Sequence, residues 1–151
     1  MRRVLILGIG NILKSDEGLG VHIVNHILES DIYLPEGVES VDGGTLGFDL
    51  LPLMNGQDKI IIVDALKTDD FPGSIYRFSP DYAVESHASF SLHEVGIIEV
   101  IRVLRLMDQN PEIEIIGIVP EDITSIAINL SPVVRKSIPL AVHQILDAAI
   151  K

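Results

Sequence analysis

Short apolar runs alternate with amphipathic stretches along the chain, which predicts strands and helices in turn. Residues 4–7 form an unbroken apolar run that ends at Gly8, a pattern typical of a strand buried on both faces of a parallel sheet. Over residues 18–28 the apolar positions recur at helical spacing, and Ser15 or Asp16 precedes them as a candidate N-cap. The chain is therefore expected to open with a strand, a tight turn and a helix.

The same alternation repeats in the next forty or so residues. A short strand through Val41 leads to a turn at Asp42, and the spacing predicts a second helix over residues 46–54. The Ile-Ile-Ile-Val run over residues 60–63 predicts a buried strand that Asp64 stops. The carboxylate of Asp64 is thus expected at the C-terminal end of that strand.

The middle of the chain predicts an edge strand and another helix. The segment "PGSIYRFSP" at residues 72–80 alternates apolar and polar positions after a Pro-Gly turn, which indicates an edge strand that runs antiparallel to the others. Ser91 and Glu94 have the spacing of a capping box, which predicts a helix to about Met107. His93 would then lie in the first turn of that helix.

The last third of the chain completes an α/β pattern. The segment "EIEIIGIVPED" predicts a final buried strand, and Ser131 followed by Pro132 predicts the start of a final helix. Strands that alternate with helices favour a three-layer α/β/α sandwich around a mostly parallel five-stranded sheet with one antiparallel edge strand. A chain of 151 residues fits one domain, so residues 1–151 are interpreted as a single domain.

Charge and composition narrow the classes of partner and of metal site. The formal net charge is −11, which repels a polyanionic nucleic acid and an anionic membrane surface, so neither is expected as a partner. No stretch approaches the about 20 apolar residues of a membrane span. The chain has no cysteine, so a bound metal would need carboxylate, imidazole or carbonyl ligands. This composition is compatible with a reducing cytoplasm, which is the expected location.

Acidic residues follow each of the first three predicted strands. Asp16 and Glu17 come after the first, Asp42 after the second, and Asp64 ends the third. Because the carboxyl ends of parallel strands meet at one edge of a sheet, these acids are expected there together, and His93 can join them from its helix. Clustered carboxylates repel one another unless a cation balances them. The set of oxygen and nitrogen ligands suits nickel, zinc, iron or manganese.

Each of these residues also fits an ordinary structural role when it is taken alone. Acids such as Asp16 and Glu17 are common in the first turn of a helix, and Asp42 before two glycines suits a simple turn. Asp64 fits an N-cap as well as a site residue, and an isolated His93 is typical of a surface position. The predicted site therefore depends on their convergence.

Two further patterns are interpreted as unrelated to function. His22 and His26 have the spacing of a metal-binding pair, but no glutamate follows His22, and both are predicted to lie on a solvated helix face. The pair Gly8 and Gly10 begins a dinucleotide fingerprint whose third glycine is replaced by Leu13. Nucleotide binding is therefore not expected.

Five segments together carry a resemblance to a known family. They are "LGIGNILKSDEGLGV", "DGGTLG", "IIIVDAL", "SLHEVG" and "IGIVPE". In this order and spacing they resemble the nickel-iron hydrogenase maturation proteases over essentially the whole chain. By position, the resemblance implies that Glu17, Asp64 and His93 bind the metal.

The resemblance also implies an activity, a substrate and a partner. The family's endopeptidases trim a C-terminal extension from the hydrogenase large-subunit precursor once nickel has been inserted. Nickel would then be supplied by the precursor, with other divalent metals able to occupy the same ligands. Asp16 or Asp42 is a candidate general base for the attacking water. The alternative is a non-catalytic nickel checkpoint or chaperone, which would bind the loaded precursor without cutting it.

Overall fold

The computed structural model describes residues 1–81, 91–92 and 96–151, and within them strands and helices alternate. The strands are β1 (Val4–Ile9), β2 (Val38–Gly44), β3 (Lys59–Lys67), β4 (Ile75–Phe78), β5 (Ser91–Leu92) and β6 (Glu112–Ile118). The helices are α1 (Leu19–Glu29), α2 (Leu51–Met54), α3 (Gly96–Leu106), α4 (Pro132–Lys136) and α5 (Ile138–Ile150). The predicted order of elements is confirmed, with changes at several boundaries.

The main sheet is mixed, with its strands in the order β2-β1-β3-β6-β4. β1 pairs parallel with β2 and β3, and β3 pairs parallel with β6. β4 runs antiparallel to β6 at the edge, as the alternating pattern of its sequence predicts. The short strand β5, which is outside this order, pairs antiparallel with the end of β3. The carboxyl ends of β1, β2, β3 and β6 therefore lie at one edge of the sheet, which we call the carboxyl edge.

Helices cover both faces of the sheet, which confirms the three-layer sandwich. Because side chains alternate along a strand, Ile61 and Val63 of β3 pack on the face covered by α1, α4 and α5, whereas Ile60 and Ile62 pack on the face covered by α2 and α3. All four side chains are fully buried. Within the described part of the chain, no helix is long and apolar enough to cross a membrane.

The third strand continues past the residue that was expected to end it. β3 extends to Lys67, three residues beyond Asp64. Asp64 pairs with Gly117 of β6, and the parallel ladder continues to the next residue pair. Beyond that, Leu66 pairs with β5. The interruption of the apolar run by a carboxylate did not end the strand, because both neighbouring ladders supply backbone partners on its far side.

The predicted side-chain cap of α1 is wrong. Residues Ser15–Gly18 form a 3-10 turn, and Gly18 occupies the N-cap position of α1 without a side-chain cap bond. The helix predicted over residues 46–54 is present, but it divides into a 3-10 turn at Gly47–Leu50 and the short α2. Both strand-to-helix connections at this edge therefore contain a 3-10 turn, which is wound more tightly than an α-helix.

Two other helix starts also differ from the sequence patterns. Ser91 lies in β5, so it does not cap a helix, and the helix of this region is described from Gly96. Ser131 occupies the N-cap position of α4 as predicted, but the final helix divides at Ser137 into α4 and α5. Pro139 lacks the N–H that a continuous helix would need at this point, which accounts for the division.

Gly20 is required where α1 begins, because the helix lies against the ends of β1 and β3. A methyl group at Gly20 would lie 2.1 Å from the carbonyl oxygen of Val63 and 2.6 Å from that of Ile9. We expect Gly20→Ala to lower the free energy of unfolding by about 2–3 kcal/mol, measured by urea denaturation. Gly96→Ala is the matched control, since nothing lies within 4 Å of its added methyl group. Equal stability of the two variants would contradict this packing.

Candidate active site

Glu17 and Asp64 lie at the carboxyl edge of the sheet, and both are buried. Glu17 belongs to the 3-10 turn after β1, which contacts β3, and it is 7% exposed. Asp64 lies within β3 and is 0% exposed. Gly10 allows the approach, because it adopts a φ of 137° and a side chain there would collide with the backbone oxygen of Glu17. The absence of a side chain at Gly10 therefore allows the turn that contains Glu17 to pack closely against the end of β1.

Asp64 stands where the ladder between β1 and β3 ends. The last residue pair of that ladder joins Gly8 to Val63, so Asp64 is the first residue of β3 beyond it. The alternation along β3 puts Asp64 on the same face as Ile62, which is the face covered by α2 and α3. Its Oδ1 accepts a hydrogen bond of 2.8 Å from the backbone N–H of Ala65. Asp64 is thus a fully buried acid at the start of the carboxyl edge.

Glu17 forms a long ion pair with Lys14. The Nζ of Lys14 lies 3.9 Å from Oε2 of Glu17, and the Lys14 side chain is half exposed. An ion pair of this length with one exposed partner contributes little to stability. The ion pair with Lys14 is therefore a minor contribution to the position of the Glu17 carboxylate.

Asp16 has a different environment from Glu17, although the two are adjacent. Its Oδ2 accepts hydrogen bonds from the backbone N–H groups of Glu121 and Asp122 and from the hydroxyl of Ser131, and its Oδ1 accepts one from the Ser131 N–H. These four bonds are 2.7–2.9 Å long, and Asp16 is 0% exposed. The contacts support a structural role for Asp16. Its assignment as a general base stays a prediction.

The loop after β6 is joined to the turn after β1 by backbone bonds as well. Ala127 accepts a 2.7 Å bond from the Ser15 N–H and donates a 3.0 Å bond to the carbonyl of Leu13. The Ser15 hydroxyl donates to the carbonyl of Asn129. Within the loop, the hydroxyl and N–H of Ser125 lower the pKa of Asp122 to about 2. The two segments therefore form one ordered unit beside Glu17.

Sequence reasoning did not identify this loop as part of the site. Ser131 was interpreted only as a helix cap, but its hydroxyl donates to Asp16 instead of accepting a bond from its own helix. The position of the loop in the sequence could have indicated it, because residues 121–131 follow the carboxyl end of the parallel strand β6, where binding sites form in such sheets.

Asp42 lies at the same edge but is exposed to solvent. It is near the end of β2, and its Oδ1 accepts a 2.9 Å hydrogen bond from the N–H of Gly44. Gly8 pairs with Asp42 on one side and with Val63 on the other. Two strand spacings of about 4.8 Å therefore separate the backbones of β2 and β3 here. The contact with Gly44 is that of an ordinary turn, and the general-base assignment of Asp42 also stays a prediction.

His93 lies outside the described residues, so its assignment as a metal ligand stays a prediction. Leu92, directly before it in the sequence, pairs with Leu66, two residues after Asp64. Residues 1–81, 91–92 and 96–151 contain no group of three or more His, Cys, Asp or Glu residues that could hold a metal ion. The described part of the candidate metal site therefore consists of the two buried carboxylates.

His22 is less exposed than the sequence pattern predicts. The structure places it only partly exposed beside Ile128, and its Nε2 is buried without a hydrogen-bond partner among the described residues. Burial lowers the pKa of His22, opposed by a hydrogen bond to the backbone of Ile128 and by the charges of Asp16 and Asp42. The expectation of a solvated face is wrong for His22 and correct for His26, which is exposed.

This lowered pKa predicts a pH-dependent stability. Since protonation is less favourable in the folded chain, the unfolded chain takes up the proton first as the pH falls below about 6.5, and stability decreases. The melting temperature of His22→Gln should therefore fall less than that of the wild type when thermal unfolding at about pH 7.5 is compared with about pH 5.5. His26→Gln is the control and should behave as the wild type. An identical decline in His22→Gln would contradict the assignment.

Comparison with known proteins identifies the family. The family model described as "Hydrogenase maturation protease" (HycI) matches residues 21–148. The "Hydrogenase 2 maturation protease" of Escherichia coli (strain K12) is 36% identical over 149 residues, which cover 97% of this chain and 90% of that protein. The chain belongs to the hydrogenase maturation protease family. It is accordingly a peptidase, as the resemblance of its motifs implied.

Solved structures of family members share the fold. The hydrogenase maturating endopeptidase HybD from Escherichia coli has a TM-score of 0.83 at 35% identity, covering 97% of this chain and 91% of that one. The [NiFe] hydrogenase maturation protease HybD from Thermococcus kodakarensis has a TM-score of 0.84 at 31% identity, covering 97% of this chain and 99% of that one. The α/β architecture described above is therefore the family's architecture.

Proposed function

We propose that this maturation protease removes the C-terminal extension of a nickel-iron hydrogenase large-subunit precursor after nickel insertion. The observation that carries the proposal is the burial of two carboxylates, Glu17 and Asp64, at the carboxyl edge of the sheet in a chain of this family. Two anionic groups in a partly enclosed place favour a cation between or beside them. A metal ion carried by the substrate meets that requirement.

The chemistry of the donor groups fits a nickel ion that the precursor already holds. Carboxylate oxygens are harder ligands than thiolates, and this chain has no cysteine, so its own site would bind nickel weakly. Nickel that is held by soft ligands of the precursor can still accept oxygen or nitrogen ligands at open positions. Under the proposal, Glu17 and Asp64 contact that ion, and His93 completes the set. Other divalent ions are able to occupy the same ligands.

The proposed role of these contacts is recognition and positioning. A precursor without nickel offers no cation to the two buried carboxylates, so it loses the attraction that brings its tail into place. A precursor with nickel is fixed at Glu17 and Asp64, which orients its scissile peptide near the carboxyl edge. Peptide cleavage would in this way depend on nickel insertion.

The attacking water requires a base with an accessible oxygen. Both oxygens of Asp16 accept hydrogen bonds from the protein, whereas Asp42 is exposed and its Oδ1 accepts the bond from the Gly44 N–H. A general base must come within hydrogen-bond reach of the water. Of the two candidates, Asp42 is therefore the one that we assign to this step.

Mass spectrometry of the precursor tests the proposed function. The purified protein is incubated with nickel-loaded precursor and, in parallel, with the nickel-free form. We expect the loaded form alone to lose a C-terminal peptide. A stable complex in which the loaded precursor keeps its full mass would contradict cleavage and support the alternative of a nickel checkpoint.

A further inference from the structure

We propose that four exposed aliphatic side chains beside Glu17 form a docking surface for an apolar segment of the precursor next to its cleavage site. We call them the rim patch, and they are Ile12, Leu13, Ile126 and Ile128. The inference rests on the proposed function, because it names the part of the protein that holds the same substrate. It adds an apolar contact to the proposed contacts with the metal.

The exposure of the rim patch is high for aliphatic residues. Ile126 is 91% exposed, Ile128 64% and Leu13 58%. Single exposed aliphatic residues are common on protein surfaces, but a contiguous group marks a binding site more often than chance. The relevant question is therefore whether these side chains adjoin one another.

Backbone pairing brings the members of the rim patch together. Lys14 and Ala127 form an isolated parallel β-bridge. Leu13 and Ile126 directly precede the two paired residues, so they are adjacent across the bridge. Ile12 precedes Leu13 in the sequence, and Ile128 directly follows the paired Ala127.

The rim patch is held in a fixed shape. The bridge is closed by the bonds of Ala127 to Ser15 and Leu13, and the same loop is anchored by the carboxylate of Asp16. An ordered surface pays less conformational entropy on binding than a mobile one. Hydrogen bonds at Ala127 and Asn129 fix the backbone that carries Ile126 and Ile128, both of which are exposed.

The location of the rim patch favours the precursor as its occupant. The Glu17 N–H donates to the carbonyl of Lys14, so the bridge leads directly into the turn that carries the proposed metal contact. Ile128 also lines a groove of about 590 Å³ between α1 and the 128–139 segment, together with His22 and Leu130. A precursor segment that reaches Glu17 can therefore contact both the apolar rim patch and the groove beside it.

Charge and area argue against a second copy of this chain. Two chains of net charge −11 repel each other. Four aliphatic side chains also offer only a few hundred Å², whereas a stable interface buries about 800 Å² on each partner. A small apolar contact beside an active site suits a substrate that binds and leaves.

Steady-state kinetics and direct binding test the rim patch. In the double variant Ile126→Ser and Ile128→Ser, we expect KM for the nickel-loaded precursor to rise at least about tenfold while kcat stays within about twofold. The dissociation constant of the precursor should rise by a similar factor. Leu106→Ser is the matched control, since Leu106 is 83% exposed at the C-terminal end of α3, away from the carboxyl edge. Its KM should equal that of the wild type.

Several outcomes would overturn the proposal. Unchanged KM and affinity in the double variant would show that the rim patch does not bind the precursor, and so would a fall in kcat alone. A wild-type dimer that the double variant abolishes would assign the surface to a second copy. If the wild type cleaves no precursor, the proposed function fails, and the affinity comparison still decides whether the rim patch binds it.

Discussion

Glu17→Gln is expected to lower the processing rate of nickel-loaded precursor by at least about a hundredfold. Changes to groups that merely support a metal ligand cost about 10- to 100-fold, so loss of a direct charged contact should cost at least as much. Glutamine keeps the size and shape of the side chain and still offers an oxygen that accepts hydrogen bonds. The melting temperature is therefore expected to stay close to that of the wild type.

Glu121→Gln is the matched control for this variant. Glu121 is an exposed acid on the loop that Asp16 anchors, so it has the same charge at the same edge. We expect its processing rate to equal that of the wild type. Normal processing by Glu17→Gln would show that Glu17 does not act on the substrate, and unfolding of this variant would favour a structural role for Glu17.

Asp16→Ala is expected to lower the free energy of unfolding by about 4 kcal/mol, measured by urea denaturation. The substitution leaves the N–H groups of Glu121, Asp122 and Ser131 without their carboxylate partner, along with the Ser131 hydroxyl. Buried donors that lose their partner keep the cost of having left water. The loop after β6 should detach from the turn after β1.

Ser131→Ala is the control that distinguishes the loss of the whole hydrogen-bond network from the loss of one hydrogen bond. It removes one hydroxyl donor to Asp16 and keeps the three backbone donors, so a loss of about 1 kcal/mol is expected. If Asp16→Ala were as stable as Ser131→Ala, the four hydrogen bonds would not anchor the loop. Asp16 would then again be a candidate for the general base, as Asp42 is.

Most of the fold follows from local sequence pattern. The unbroken apolar runs of β1 and β3 predict central strands, and the alternation at residues 72–80 predicts the antiparallel edge strand. The position of the acids also follows, because Asp16, Glu17, Asp42 and Asp64 all lie at the carboxyl edge where strand topology would put them. Local pattern suffices here because strand and helix periodicity reflect which face is buried.

The environment of each acid could not be predicted in the same way. Asp16 and Glu17 are adjacent and chemically alike, yet Asp16 is bound by Ser131, which is 115 residues further along the chain. No local rule indicates such a contact. Likewise Asp64 was expected to end a strand, and it is kept within β3 by pairing with β6 and β5. Tertiary hydrogen bonds decided these features.

X-ray absorption at the nickel edge tests most directly whether the two buried carboxylates contact the nickel of the substrate. The spectrum of nickel-loaded precursor is recorded alone, with the wild-type protein and with Glu17→Gln, under conditions that stop turnover. We predict that the wild-type protein adds oxygen or nitrogen neighbours to the nickel and that Glu17→Gln adds fewer. A nickel environment that the wild-type protein leaves unchanged, although the precursor is bound, would contradict the account.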